Sequence, residues 1–109
     1  MTDDLAIVMT AIDAPNAAAL AEHLVERRLV ACAQISAPMT STYRWEGSIE
    51  QATEVLVVCK TTAAAAPAVV DEIAERHPYD VPEIVVTPVV HSNAAYRAWV
   101  NDSVDVEGA

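Results

Sequence analysis

The sequence predicts an α+β fold, a ferredoxin-like βαββαβ sandwich with an antiparallel sheet, lengthened by an over-long hairpin between its second and third strands and closed by a C-terminal helix. Three observations predict it. Segments of strand and helix character alternate in the order strand, helix, strand, strand, helix, strand, helix, which among small architectures is that of the split βαβ unit. Turn and cap residues separate them, at Asp13-Ala14-Pro15-Asn16, at Glu46-Gly47-Ser48 and at His77-Pro78. With 109 residues, 53% hydrophobic and 20% charged, the chain suits one domain over 1–109 and neither a second domain nor wholesale disorder.

Leu5-Ala6-Ile7-Val8-Met9 has the length and apolar character of the first strand. From Ala17 to Leu29 the positions Ala17, Leu20, Ala21, Leu24 and Val25 recur at helical spacing, and Arg27 and Arg28 are expected in the last turn, where cations suit the helix dipole. Val30 to Trp45 and Ile49 to Thr62 form the two arms of the hairpin, and Ala37-Pro38 requires a bulge or an edge in the outgoing arm, because proline cannot donate to a ladder. Thr62 and the alanines 63–66 open a second helix with Pro67 in its first turn and a packed stripe of Val70, Ile73, Ala74 and His77; Pro78 ends it. Ile84 to Val89 is the fourth strand, after which Ser92-Asn93 caps a helix with Tyr96, Trp99 and Val100 on one side, and the tail from Asp105 is expected to fray.

Each hairpin arm is more than twice the typical strand length of about 5–6 residues, so its outer half outruns what its own helices can cover. Its tip carries Tyr43, Trp45 and Ile49. Exposed strand edges with aromatic residues are liabilities unless paired, and the expected cover is another copy of the chain in a closed homo-oligomer.

Lys and Arg total 6 against 16 Asp and Glu, a formal charge of -10 that repels phosphate backbones and anionic lipid surfaces, so no nucleic-acid or membrane partner is expected. Apolar runs such as Val55 to Cys59 fall far short of the ~18 residues a bilayer span requires. The acidic Met1-Thr2-Asp3-Asp4 start is unlike a secretory signal, and the expected location is cytoplasmic. Cys32 and Cys59 are too few for a disulfide framework. No enzyme is expected: with Gly47 and Gly108 alone there is no phosphate-binding loop, no serine sits in a nucleophile elbow, and Cys32 within a strand lacks the basic setting that would activate a thiol.

Ala31-Cys32-Ala33-Gln34, Thr42-Tyr43-Arg44-Trp45-Glu46-Gly47, Cys59-Lys60-Thr61-Thr62, His77-Pro78-Tyr79-Asp80-Val81-Pro82-Glu83-Ile84 and Tyr96-Arg97-Ala98-Trp99 together resemble the CutA divalent-cation tolerance family over essentially the whole chain. The Tyr-x-Trp-x-Gly tip and the His-Pro-Tyr-x-x-Pro-Glu loop, in this order, carry the likeness. The resemblance implies a ferredoxin-like subunit in a tight homotrimer, an association with copper and other divalent metals without an obligatory cofactor, and an architectural likeness to the nitrogen-regulatory PII proteins. It also implies a copper site built in some bacterial members from a first-strand cysteine and paired histidines. Here those positions hold Met9 and Arg76-His77, so a thioether, still able to hold Cu(I), replaces the thiol and an arginine replaces one imidazole.

The candidate metal ligands are therefore His77, Met9 and Cys32, two of them with a structural alternative: a carbonyl-bonded helix-terminal histidine for His77, a buried thiol for Cys32. His23 and His91 read as surface residues. Lys60, near the end of a central strand, is expected either to form an ion pair with Glu83 or to point into a cleft and meet a ligand. Tyr79, Tyr43, Trp45 and Trp99 are expected to supply interface area or to line that cleft. Three functional readings follow: a trimeric metal-response protein, a PII-like module binding a small molecule between subunits, or a stable scaffold for a protein partner.

Overall fold

The computed structural model describes residues 3–105, so the end of the tail expected to fray lies outside the described residues. Strand β1 (Leu5–Ile12) leads to α1 (Ala14–Glu26), β2 (Cys32–Ile35), β3 (Met39–Trp45), β4 (Ser48–Thr62), α2 (Ala66–Arg76), β5 (Ile84–Pro88) and α3 (Ala94–Ser103). The sheet runs β2-β4-β1-β5, every pair antiparallel, with β3 on the outer half of β4. This is the expected ferredoxin-like order, with the outgoing hairpin arm divided in two.

The division is the bulge that Pro38 requires. Ile35 pairs with Val57 and Met39 with Glu54, so the outgoing chain takes four steps where the return chain takes three. The extra residue is accommodated at Ser36, whose N–H donates to the Leu56 carbonyl (2.9 Å) while its hydroxyl accepts from the Leu56 N–H (2.8 Å). At the tip the loop is two residues, not three: Glu46 and Gly47 have φ of 49° and 83°, the positive pair of a type I′ turn, and Ser48 already pairs with Trp45.

Strand alternation decides which residues form the core. Ala6, Val8 and Ile12 of β1 and Val55, Val57 and Cys59 of β4 face the helices, where Ala17, Leu20, Ala21 and Leu24 of α1 and Ala66, Val69 and Ile73 of α2 bury them. The α2 stripe is thus Ala66-Val69-Ile73, with the expected Val70 partly buried beside it and His77 buried at the C-cap, whereas Ala74, expected inside, is exposed. Val25, also expected inside, is 41% exposed at the end of α1. Arg27 and Arg28 lie beyond that helix. Leu29 N–H bonds the Leu24 carbonyl and Arg28 N–H the Val25 carbonyl, a Schellman closure with Arg28 in the left-handed region (φ 59°). Its guanidinium instead bonds the carbonyls of Ser103 and Asp102 (3.1 and 2.8 Å), capping the far end of α3.

The other sheet face is only partly covered. Helix α3 packs one end of it through Val100 and Tyr96 against Leu5 and Ala31. Trp99, expected on the same side, is 46% exposed, although its ring stays 5.6 Å from that of Tyr96. Ile7, Met9, Leu56 and Val58 remain partly open, and Val85 of the edge strand β5 is exposed.

Candidate functional site

Strand topology forces a groove at the root of the hairpin. Strand β1 ends at Ile12 opposite Val55, so from Glu54 outward β4 loses its neighbour on that side. The chain leaving α2 must cross this gap to begin β5 at Ile84 opposite Thr10. The loop over 77–83 therefore lies beside the unpaired edge of β4, and between them opens a groove of about 750 Å³. Tyr43 and Trp45 of β3, Glu50 and Glu54 of β4 and Tyr79, Asp80 and Glu83 of the loop line it. The register that pairs Tyr43 with Glu50 puts both on one face, and the strand period of two adds Ala52 and Glu54.

His77 anchors this loop. It is 8% exposed, its Nε2–H donates to the Ala11 carbonyl (2.9 Å), and its Nδ1 accepts from the Tyr79 N–H (3.3 Å). The partners fix the tautomer, since a carbonyl can only accept and an amide can only donate. The His77 and Tyr79 rings meet edge to face at 4.5 Å. Tyr79 then extends over the groove toward the carboxylate of Glu54, itself only 8% exposed, which acts on its hydroxyl. Burial first, then Glu54 and the field of Asp13, push the Tyr79 phenol up to about 12. One oxygen of Asp13, Oδ1, is buried without a hydrogen-bond partner, the other accepting from the Asn16 amide at 2.7 Å.

The expected cleft residues Tyr43, Trp45, Tyr79 and Glu83 do come together here. Lys60 and Trp99 do not line it. The Lys60 ammonium bonds Gln34 Oε1, its neighbour but one across β4 and β2, and Lys60 pairs with Ile7 near the start of β1, whereas Glu83 lies at the other end of that strand. The Lys60–Glu83 ion pair is therefore absent within the chain. Glu50, Glu54 and Asp80 were not singled out from sequence; a two-residue turn at Glu46-Gly47 would have placed Glu50 opposite Tyr43 directly.

The metal candidates occupy separate places. Met9 stands on the open sheet face opposite Val58, Cys32 opposite Lys60 on β2, and His77 beneath the end of α2. Two strand spacings of about 4.8 Å separate the backbones of Met9 and Cys32. The Cys32 thiol sits 3.6 Å from the Tyr96 hydroxyl, and burial with that contact pushes the Tyr96 phenol up to about 12. Cys59, adjacent in register, faces the helices, and burial pushes its thiol up to about 12, far from the thiolate a metal requires. Among the described residues no three His, Cys, Asp or Glu side chains converge to hold a metal ion. Both ring nitrogens of His77 are engaged, so the donor set does not fit a preformed metal centre within one chain. No helix among the described residues is long and apolar enough to cross a membrane.

The chain is a small ferredoxin-like α+β domain with a half-covered sheet and an acidic, aromatic groove beneath an over-long hairpin. Comparison with known proteins gives it a family. The profile of the CutA1 divalent ion tolerance protein family matches residues 5–103. The divalent-cation tolerance protein CutA of Salmonella newport (strain SL254) is 39% identical over 97 residues, covering 89% of this chain and 84% of that protein. The crystal structure of CutA from Xylella fastidiosa superposes with a TM-score of 0.90 at 32% identity, over 94% of this chain and 99% of that one. A divalent cation tolerance protein of Archaeoglobus fulgidus described as periplasmic gives 0.88 at 29% identity, over 93% and 99%. The chain belongs to the CutA divalent-ion tolerance family.

Proposed function

We propose that this protein serves the response to divalent metal ions as a closed homotrimer in the cytoplasm, and that its ligand site is the groove between the hairpin and the 77–83 loop. One observation carries the reading: four side chains of the two family-like motifs, Tyr43, Trp45, Tyr79 and Glu83, line a single groove with three further carboxylates. The proposal gives the chain a binding role and no catalytic step. Copper or another divalent cation is the proposed ligand, held weakly by one or two of Glu50, Asp80 and Glu83 with water filling the rest of its shell, or by Met9 and Cys32 where a second copy completes the donor set. Other copies have surface to cover, since Ile49 is 69% and Ile35 44% exposed.

Calorimetric titration with copper(II) and zinc(II) tests the metal reading on the wild type, on the double variant Glu50→Gln/Glu83→Gln and on Met9→Leu. Binding weakened at least tenfold by either set of changes is the expected result. Identical traces in all proteins would remove both proposed places. A second reading, a PII-like regulatory module taking a small molecule, is favoured by the three aromatic rings in the same groove.

A further inference from the structure

Resting on the closed homotrimer, we propose that sister chains are locked together by an ion pair between Lys60 of one copy and Glu50 of the next, made where the outer hairpin of one seats on the open sheet face of the other. Strand alternation puts both residues on one face. Every second residue of β4 from Ser48 to Thr62 points away from the helices, so Glu50, Ala52 and Glu54 continue through Leu56 and Val58 to Lys60. The outer end of this face is acidic and aromatic, since Tyr43 pairs with Glu50 and Trp45 with Ser48. The inner end is aliphatic, with Ile7, Met9, Leu56 and Val58 partly open. Of the described strand residues on that inner end, Lys60 alone is charged.

The two ends cannot meet within a chain. Glu50 and Lys60 are ten residues apart on β4, about 33 Å at the rise of a strand. They can meet between chains, because a ring closes when one patch of each copy fits a different patch of the next, and these two ends are complementary in charge. Desolvation argues the same way. When a sister chain covers the sheet, the Lys60 ammonium leaves water bonded to a neutral group, the Gln34 amide oxygen, and a buried cation is rarely kept without a counter-charge. Other cations are committed: Arg28 to carbonyls of α3, Arg76 to Glu72 and Arg97 to Asp3. Among the carboxylates, Glu54 is 8% exposed beside Tyr79, whereas Glu50 stands exposed on the hairpin next to Tyr43. Glu50 so engaged leaves Asp80 and Glu83 of the groove to a metal ion.

Subunit exchange between isotopically light and heavy copies of the intact protein, followed by native mass spectrometry at about 150 mM salt, where exposed charges are screened beyond ~8 Å, tests the lock. Lys60→Glu and Glu50→Lys should each speed exchange by about tenfold or more, because each sets like charges face to face. The double variant Lys60→Glu/Glu50→Lys should return to within about threefold of wild type. Lys60→Glu/Glu22→Lys, with the compensating charge on the exposed face of α1, should not. Rescue across about 33 Å of one chain can come only from another copy, so the double variant decides even where a single one folds poorly. A trimer whose exchange neither single variant alters, a double variant no slower than the singles, or equal rescue by Glu22→Lys overturns the ion pair and leaves the homotrimer standing. Wild-type chains that never associate overturn both.

Discussion

A single strand, β4, passes through two different environments. From Val55 to Thr62 it has β1 on one side and β2 on the other, with α1 and α2 packed over Val55, Val57 and Cys59. From Ser48 to Glu54 it has β3 alone, and no helix covers it. Val57 is 0% exposed and Ile49 69%. The inner half carries what one chain needs to fold. The outer half and its partner β3 carry apolar and aromatic side chains, Ile49, Tyr43 and Trp45, that a lone chain leaves in water, and the groove lies where the two halves meet.

The largest expected effect is on the inner half. Ile73→Ala removes a fully buried side chain between α2 and the sheet, and should lower stability by about 2–5 kcal/mol in chemical denaturation. On the outer half, Ile49→Lys should change the stability of an isolated subunit by no more than about 0.5 kcal/mol, yet shift sedimentation toward smaller species. If Ile49→Lys unfolds the chain as Ile73→Ala does, the contrast between the halves is wrong.

Two core threonines sharpen the comparison within the inner half. The Thr61 hydroxyl donates to the Leu29 carbonyl at 2.7 Å, whereas the equally buried Thr10 hydroxyl has no partner. Thr61→Val should cost about 1–3 kcal/mol by leaving a buried carbonyl unpaired, and Thr10→Val should be neutral or stabilising. Thermal unfolding of the pair reads the difference. The smallest effect is ionic. Glu72 on α2 accepts from His23 Nε2 of α1 (2.6 Å) and from Arg76 (3.0 Å), and these bonds, in that order, hold its carboxyl below its ordinary value of 4.5. A depressed carboxyl contributes stability that is complete above that ordinary value and is lost as pH falls through the folded-state one. Glu72→Gln should therefore flatten the acid limb of the pH–stability profile and leave its alkaline limb unchanged.

Much of this was legible in sequence because periodicity and proline report local geometry. The element order, the bulge forced by Pro38 and the surplus of the hairpin all follow from residues read in place. The groove was partly legible, since two motifs distant in the chain name four of its lining residues. What was not legible depends on partners across the sheet. Lys60 bonds Gln34, which only the β2–β4 register reveals, and Ala74 and Val25 turn outward because docking on the sheet, and not apolar spacing alone, decides which side of each helix is buried. Glu54 reads as a solvated carboxylate until the 77–83 loop folds over it.

Sedimentation equilibrium at micromolar concentration tests most directly whether the outer hairpin is completed by sister chains. The account predicts a single species near three times 11.6 kDa that persists on dilution, and a well-behaved particle of 11.6 kDa would contradict it.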